Sequence, residues 1–379
     1  MRIVILGSGA LGGVMGAFLA RAGHTVTVLA RRERLAELEG KPIQVSGVSE
    51  FEAAVGWASA ETAPDGDVLV VSVKTFQTAA ALAPLTTQRY GAVLSVQNGV
   101  AKNEVLLDRF PDNTIGCATL IGATLAGPTH VRHVLDGQTW IGELDGRPSD
   151  RVREIATAFS AAGLATEAHP NIQSVEWSKL CQYVGASLTG ASSRSPLHRV
   201  YLSDDLARLY LAALREVEQV ARAVGVQVND VPGCPVATLS QLEFDAALHE
   251  THLRGESLRE RGLVGIRSSM LEALERGRQT ELEDTAGWLV ATARRAGVSV
   301  PTVETLYRLL RESRDALQLS AVHESAREGG ASLAVTDAIT LSRSTGLITQ
   351  FDRHTVTTVA GTARHARESF RLERVAEMR

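Results

Sequence analysis

The stretch that most constrains this chain lies at its start. Arg2 to Leu6 is a short β-branched run of the kind that fills a buried parallel strand. It leads directly into Gly7-Ser8-Gly9-Ala10-Leu11-Gly12, a GxGxxG. A helix pattern follows through Val14, Phe18 and Leu19, ends at Gly23, and gives way to a second strand at His24 to Leu29. Strand, glycine turn, helix and strand in about thirty residues predict a dinucleotide-binding βαβ unit. In that unit Gly7 permits the tight turn, Gly9 lets the backbone approach a pyrophosphate, and Gly12 lets helix and strand pack closely. Ser8, Ala10 and Leu11 complete the loop, whose helix N-terminus offers unpaired N–H groups to phosphates.

The end of the second strand bears on which dinucleotide is held. An NAD site would place Asp or Glu there for the ribose hydroxyls. This chain reads Leu29-Ala30-Arg31-Arg32-Glu33-Arg34, with the acid beyond the strand end. The guanidinium groups of Arg31 and Arg32 suit the 2′-phosphate of NADP. Two further buried strands are expected at Asp67–Val73 and Gly91–Val96, ending at Lys74-Thr-Phe-Gln77 and Gln97-Asn98-Gly99-Val100. Ligands of open α/β sheets sit outside the carboxyl ends of the strands, so Lys74, Gln77 and Asn98 are placed to face cofactor or substrate. Asn98-Gly99 also reads as a plain turn. Short strands are expected at 115–119, 130–135 and 139–144. His130 and His133 alternate on one of them without a third ligand, so no metal site is expected.

Composition narrows the class. A chain of 379 residues suggests two domains, and its 44% hydrophobic content supports sizeable cores. A net charge of −4 supplies no basic field for nucleic acid. Cys117, Cys181 and Cys234 form no CxxC pattern, which fits a reducing, cytoplasmic setting. The glycine turn after Leu6 breaks the apolar run that a leader peptide needs, and no stretch approaches about 18 consecutive apolar residues. No membrane association is therefore expected.

From about Asn171 the pattern turns helical. Leu206, Tyr210, Ala213, Val217, Val220 and Val224 recur at helical spacing behind Ser203-Asp-Asp205. Further helices are expected before Gly277, after Thr280 and from Pro301. The fold class expected is an α/β Rossmann-like N-terminal domain followed by an all-α domain, with a cleft between them.

Within the helical half, SVEWSKLCQYVGAS at Ser174–Ser187 sets a lysine among apolar residues. Only four of the chain's 39 basic residues are lysines: Lys41, Lys74, Lys102 and Lys179. A helix here would carry Tyr183 and Ser187 on the Lys179 face, one and two turns on. That face is a candidate polar lining for a substrate pocket, although a helix-face lysine can also snorkel its amine to water.

These pieces together resemble the ketopantoate reductase (2-dehydropantoate 2-reductase) family. The matching stretches are GSGALGG at Gly7–Gly13, VSVKTFQ at Val71–Gln77, QNGV at Gln97–Val100, WSKL at Trp177–Leu180 and SSMLEALERGRQTELEDTAG at Ser268–Gly287. They span roughly residues 1–312. The resemblance implies a C-terminal domain of the 6-phosphogluconate-dehydrogenase type. It also implies a reductase passing hydride from NADPH to the ketone carbon of a small 2-oxo acid. By motif position Lys179 corresponds to the family's catalytic lysine, Glu281 to its active-site glutamate, Ser269 to a substrate-binding serine, and Asn98 to the strand-end asparagine. An ammonium can stabilise the developing alkoxide and donate the proton it needs, whereas arginine holds its proton too tightly. The family usually has asparagine where this chain has Tyr183 and Ser187, and Ala286 replaces another asparagine. The expectation is an inherited reaction on an altered substrate: another 2-oxo acid, a bulkier ketone or an imine. The alternatives are ketopantoate reductase proper and a non-catalytic NADP-binding sensor.

The expected domains are 1–170, binding NADP, 171–315, carrying the substrate site, and a 316–379 extension packed on the helical domain. Val231–Gly265 reads as expanded relative to the family. In the tail, acids interleave with arginines from Arg364 onward, which predicts a solvated helix that covers the cleft or joins a homodimer interface.

Overall fold

The computed structural model describes residues 1–324, 331–341, 348–359 and 362–371, with side chains to residue 312. Five parallel strands form the first sheet, in the spatial order Gly56–Ala58, Thr25–Leu29, Arg2–Leu6, Gly66–Val71, Tyr90–Ser95. Arg2–Leu6 runs between Thr25–Leu29 and Gly66–Val71, with Ile3 level with both Val26 and Val68. Side chains alternate across a strand, so a strand apolar throughout must be covered on both faces. Ile3, Ile5, Val26, Val28, Val68 and Val70 belong to one core with Val14 and Phe18 of the helix Ala10–Arg21. Val4, Leu6, Leu29, Leu69 and Val71 belong to a second core with Leu82, Leu85 and Leu106. The glycine loop and the strand ends at Lys74 and Asn98 therefore leave the same, carboxyl edge of the sheet.

Two smaller sheets extend this half. Ile43–Gly47, Phe51–Ala53, Gly122–Leu125 and His130–Leu135 make one; Gly116–Thr119, Thr139–Gly142 and Thr166–Ala168 make the other. Asn171 then caps the helix Ile172–Ser193, its side chain accepting from the Ser174 N–H. Helix follows helix from there: Leu197–Leu202, Asp204–Ala223, Val236–Gln241, Phe244–Glu260, Ser269–Glu275, Trp288–Arg295 and Pro301–Glu324. Glu283–Gly287 is wound as a π segment leading into Trp288–Arg295. Of the expected stripe, Tyr210, Ala213, Val217 and Val220 are fully buried in Asp204–Ala223, Leu206 is half-buried, and Val224, past the helix end, is exposed. The fold is thus Rossmann-like and then helical. Among the described residues no helix is long and apolar enough to cross a membrane.

Contacts divide the chain into one compact unit, Met1–Ala273 with Gln279–Tyr307, and another, Leu274–Arg278 with Arg308–Arg379. The helix opened by Pro301 runs past residue 315 to Glu324. The tail differs from expectation. Thr362–Arg371 is a strand, not a solvated helix, pairing antiparallel with Ile348–Val359, which pairs with Ala331–Leu341. Interleaved charges suit an exposed strand as well as a helix, and the partner strand ITQFDRHTVTTV is rich in β-branched residues that favour a sheet. Gly329-Gly330 and residues 372–379 lie outside the described residues.

Candidate active site

The glycine loop fits a dinucleotide on steric grounds. Gly7 has a φ of +125°, a conformation open to glycine and strained for other residues. A Cβ on Gly12 would lie 2.4 Å from the Gly7 carbonyl oxygen and 2.3 Å from Ser72 Oγ, so the close packing expected there is present. A Cβ on Gly9 would meet nothing within 4 Å, which leaves the loop's outer side open to a ligand. Gly9 begins the helix Ala10–Arg21 with no side-chain cap and no acid in the first turn. Its free N–H groups and positive end suit phosphate. Ser72 secures the loop from below, donating to the Leu6 and Gly7 carbonyls.

The arginines after the second strand divide. Arg31 and Arg32 are exposed, and Arg31 lies 3.6 Å from Glu33. Arg34 reaches the loop itself, its Nη1 donating to Ser8 Oγ at 3.3 Å. Arg34 stood in the same basic run and was not singled out by sequence. The helical turn Arg32–Arg34 is what brings it back over the glycines.

The second cluster gathers around the helix Ile172–Ser193. Lys179 lines a small pocket with Gln97, Gly99, Lys102, Ala118, Glu176, Leu180 and Tyr183. Burial, then the neighbouring Lys102 ammonium, lower the Lys179 amine from its ordinary range to about 8. Cys117, Cys234 and Glu176 oppose that shift. Lys179 makes no hydrogen bond or ion pair among the described residues. The other lysines near it are engaged. Lys102 is paired with Glu176 at 3.3 Å, and Lys74 donates to Glu281 at 3.0 Å.

Glu281 is buried and also accepts from the Thr75 N–H at 3.2 Å, while Thr75 Oγ1 donates to Asp284 at 2.6 Å. It is therefore tied to the Lys74 strand end, not to Lys179. The π segment begins two residues later, and such segments are frequent at functional sites. Gln77 is exposed in the short turn after Lys74.

Tyr183 and Ser187 do lie on the lysine's helix face. The Tyr183 hydroxyl is near Ser269, Ser187 and Asn98, and burial followed by the Glu281 charge pushes its pKa up. It closes no hydrogen bond to any of them, and the buried Ser187 hydroxyl is also without a partner. Asn98, Lys179, Tyr183, Ser187, Ser269 and Glu281 are thus gathered from segments far apart in the chain. Thr75, Asp284, Lys102 and Glu176 join them without having been expected. Lys102 and Glu176 did carry a signal: one is among four scarce lysines, and the other stands three residues before Lys179. His130 bonds Ser46 and His133 bonds the Leu135 carbonyl.

A dinucleotide cradle facing a helical unit with an unpaired lysine defines a class: NAD(P)-dependent oxidoreductases of two-domain, Rossmann-plus-helical build. Comparison with known proteins specifies it further. The model of ketopantoate reductase PanE/ApbA matches residues 3–146, and that of its C-terminal part matches 171–314. The chain belongs to the ketopantoate reductase family. A 2-dehydropantoate 2-reductase from Archaeoglobus fulgidus is 32% identical over 310 residues, covering 82% of this chain and 97% of that protein. The crystal structure of 2-dehydropantoate 2-reductase from Geobacter metallireducens GS-15 is 26% identical. It superposes with a TM-score of 0.70, covering 83% of this chain and all of that one. D-mandelate dehydrogenase, solved with NADH and anilino(oxo)acetate, shares the fold at 19% identity and a TM-score of 0.71. That match covers 84% of this chain and all of that one.

Proposed function

We propose that the protein is an NADPH-dependent reductase of a 2-oxo acid or related ketone, with Lys179 as proton donor and with substrate contacts altered from the family pattern. The observation that carries the reading is Lys179 itself. It is the pocket lysine without an ion-pair partner, and its amine is lowered to about 8, near enough to neutrality to give up a proton and still hold one. When bound, the cofactor supplies hydride to the carbonyl carbon. Lys179 Nζ meets the developing oxyanion and donates its proton there. Gly7 to Gly12 and Arg34, with Arg31 and Arg32 close by in sequence, hold the phosphates, and the arginines are the reason for preferring NADPH to NADH. Glu281, held by Lys74 and the Thr75 N–H, is the carboxylate available to accept from a substrate hydroxyl. Residues 1–170 then serve the cofactor and 171–315 the substrate.

Support for an altered substrate comes from the Tyr183 and Ser187 hydroxyls, two buried polar groups with no partner. A site leaves such groups unpaired at a cost unless a ligand satisfies them. A ring at position 183 also fills space that the family's asparagine leaves open. A second reading, reduction of 2-dehydropantoate itself, is favoured by the name of the Archaeoglobus relative. The sensor alternative has no such support.

The test is nicotinamide absorbance with NADPH or NADH against ketopantoate, other 2-oxo acids and cyclic imines. The expected result is faster turnover with NADPH and with a 2-oxo acid or ketone other than ketopantoate; ketopantoate as the best substrate sinks the altered-substrate reading. Lys179→Ala should keep NADPH binding and lose about a thousandfold in turnover, the usual scale for removing a general acid. Full turnover in that variant removes Lys179 from the chemistry.

A further inference from the structure

We propose that Lys102 and Glu176 act as one positioning unit, locking the Asn98 strand end to the lysine helix and setting the charge beneath Lys179. The inference rests on the proton-donor reading above. Both side chains are only 2% exposed, and both line the pocket that Lys179 lines. The Lys102 ammonium donates to the carbonyls of Ser95 at 3.0 Å, Gln97 at 3.1 Å and Cys117. Glu176 accepts from Asn103 Nδ2 at 2.6 Å and from the Cys117 N–H at 3.0 Å. Three arms of this network bear on the pocket and the segments that flank it. Gln97 directly precedes Asn98, and Ser95 lies three residues before it. Glu176 lies one helical turn before Lys179, on its face.

Stability alone is a poor explanation. A buried ion pair roughly breaks even against well-packed apolar side chains, because both ions must be stripped of water. What the pair supplies that apolar residues cannot is a fixed charge. Four groups act on the Lys179 amine: Lys102 lowers it, and Cys117, Cys234 and Glu176 raise it. Burial pushes both thiols up to about 11, so they are neutral near pH 8. Lys102 and Glu176 are then the charges that remain, and Lys102 is the stronger influence. Removing one or the other must move Lys179 in opposite directions.

The chain's four lysines make this measurable without substrate. Lysine labelled with ¹³C at Cε gives few resonances, and Lys179→Arg identifies the one required. In the unaltered protein its titration midpoint is expected near 8. Lys102→Met should raise it by about one pH unit and Glu176→Gln should lower it, with the double variant in between. Midpoints that stay fixed, or that move in the same direction in both single variants, overturn the proposal. Should Lys102→Met fail to fold, Glu176→Gln and the double variant carry the same test: the first lowers the midpoint and the second restores it. Turnover separates the two layers of argument. Opposed midpoint shifts with Lys179→Ala still active would retain the unit and remove the proton-donor role. Fixed midpoints with Lys179→Ala inactive would do the reverse.

Discussion

The glycine loop and the lysine pocket are shaped by opposite means. In the loop, Gly7 to Gly12 present backbone, and what matters is the absence of side chains: a Cβ at Gly12 collides with Ser72 and Gly7, and a Cβ at Gly9 projects into open space. In the pocket, what matters is side chains whose polar groups are unspent, as with Lys179, Tyr183 and Ser187. One region is defined by sterics within a short segment. The other is defined by electrostatics among residues brought together from along the chain. Damage to the first should therefore appear in cofactor affinity and fold, and damage to the second in turnover and substrate choice.

Gly12→Ala is the hardest test of that division. Its methyl group overlaps fixed backbone, and overpacking of this kind costs about 1–3 kcal/mol. Thermal unfolding should shift down, and NADPH affinity by fluorescence titration should fall about a hundredfold as the loop distorts. Gly9→Ala has a smaller expected effect. Its melting temperature should stay that of the parent, while NADPH binds about tenfold more weakly because the methyl group faces the phosphates. Equal losses of stability in the two variants would mean that the loop is not sterically graded as described. On the pocket side, the double variant Tyr183→Asn with Ser187→Asn should raise kcat/KM for ketopantoate several-fold, about 1 kcal/mol, and leave NADPH affinity alone. A double variant that instead loses cofactor binding would break the comparison.

The two regions also differ in how far they were legible in the sequence. The loop's conformation is almost completely legible, because its constraints are local: a β-branched run, three glycines at fixed spacing and a helix stripe. Arg34 is not legible as a loop contact, since only the turn after Arg31 folds it back onto Ser8. The strand ends at Lys74 and Asn98 were placed to within a few residues, because parallel strands buried on both faces are nearly continuous apolar runs. In the pocket, the helix spacing that sets Tyr183 and Ser187 beside Lys179 was visible. The pairing of Glu281 with Lys74 was not, since the two residues are 207 positions apart and several carboxylates could have reached that lysine. The Lys102–Glu176 pair was hidden for the same reason. The tail failed differently: its charge pattern suits both a helix and an exposed strand, and only pairing with Ile348–Val359 decides between them.

The central claim is that Lys179 must carry a proton to do its work. The direct measurement is kcat/KM for reduction between pH 6 and 10, with the best substrate of the panel and NADPH, since that quantity reports groups of the free enzyme. Burial and Lys102 lower the amine to about 8, so the protonated, donating form predominates below that pH. The profile should be level below about pH 8 and fall about tenfold per pH unit above it. A profile that stays level to pH 10 would contradict the account.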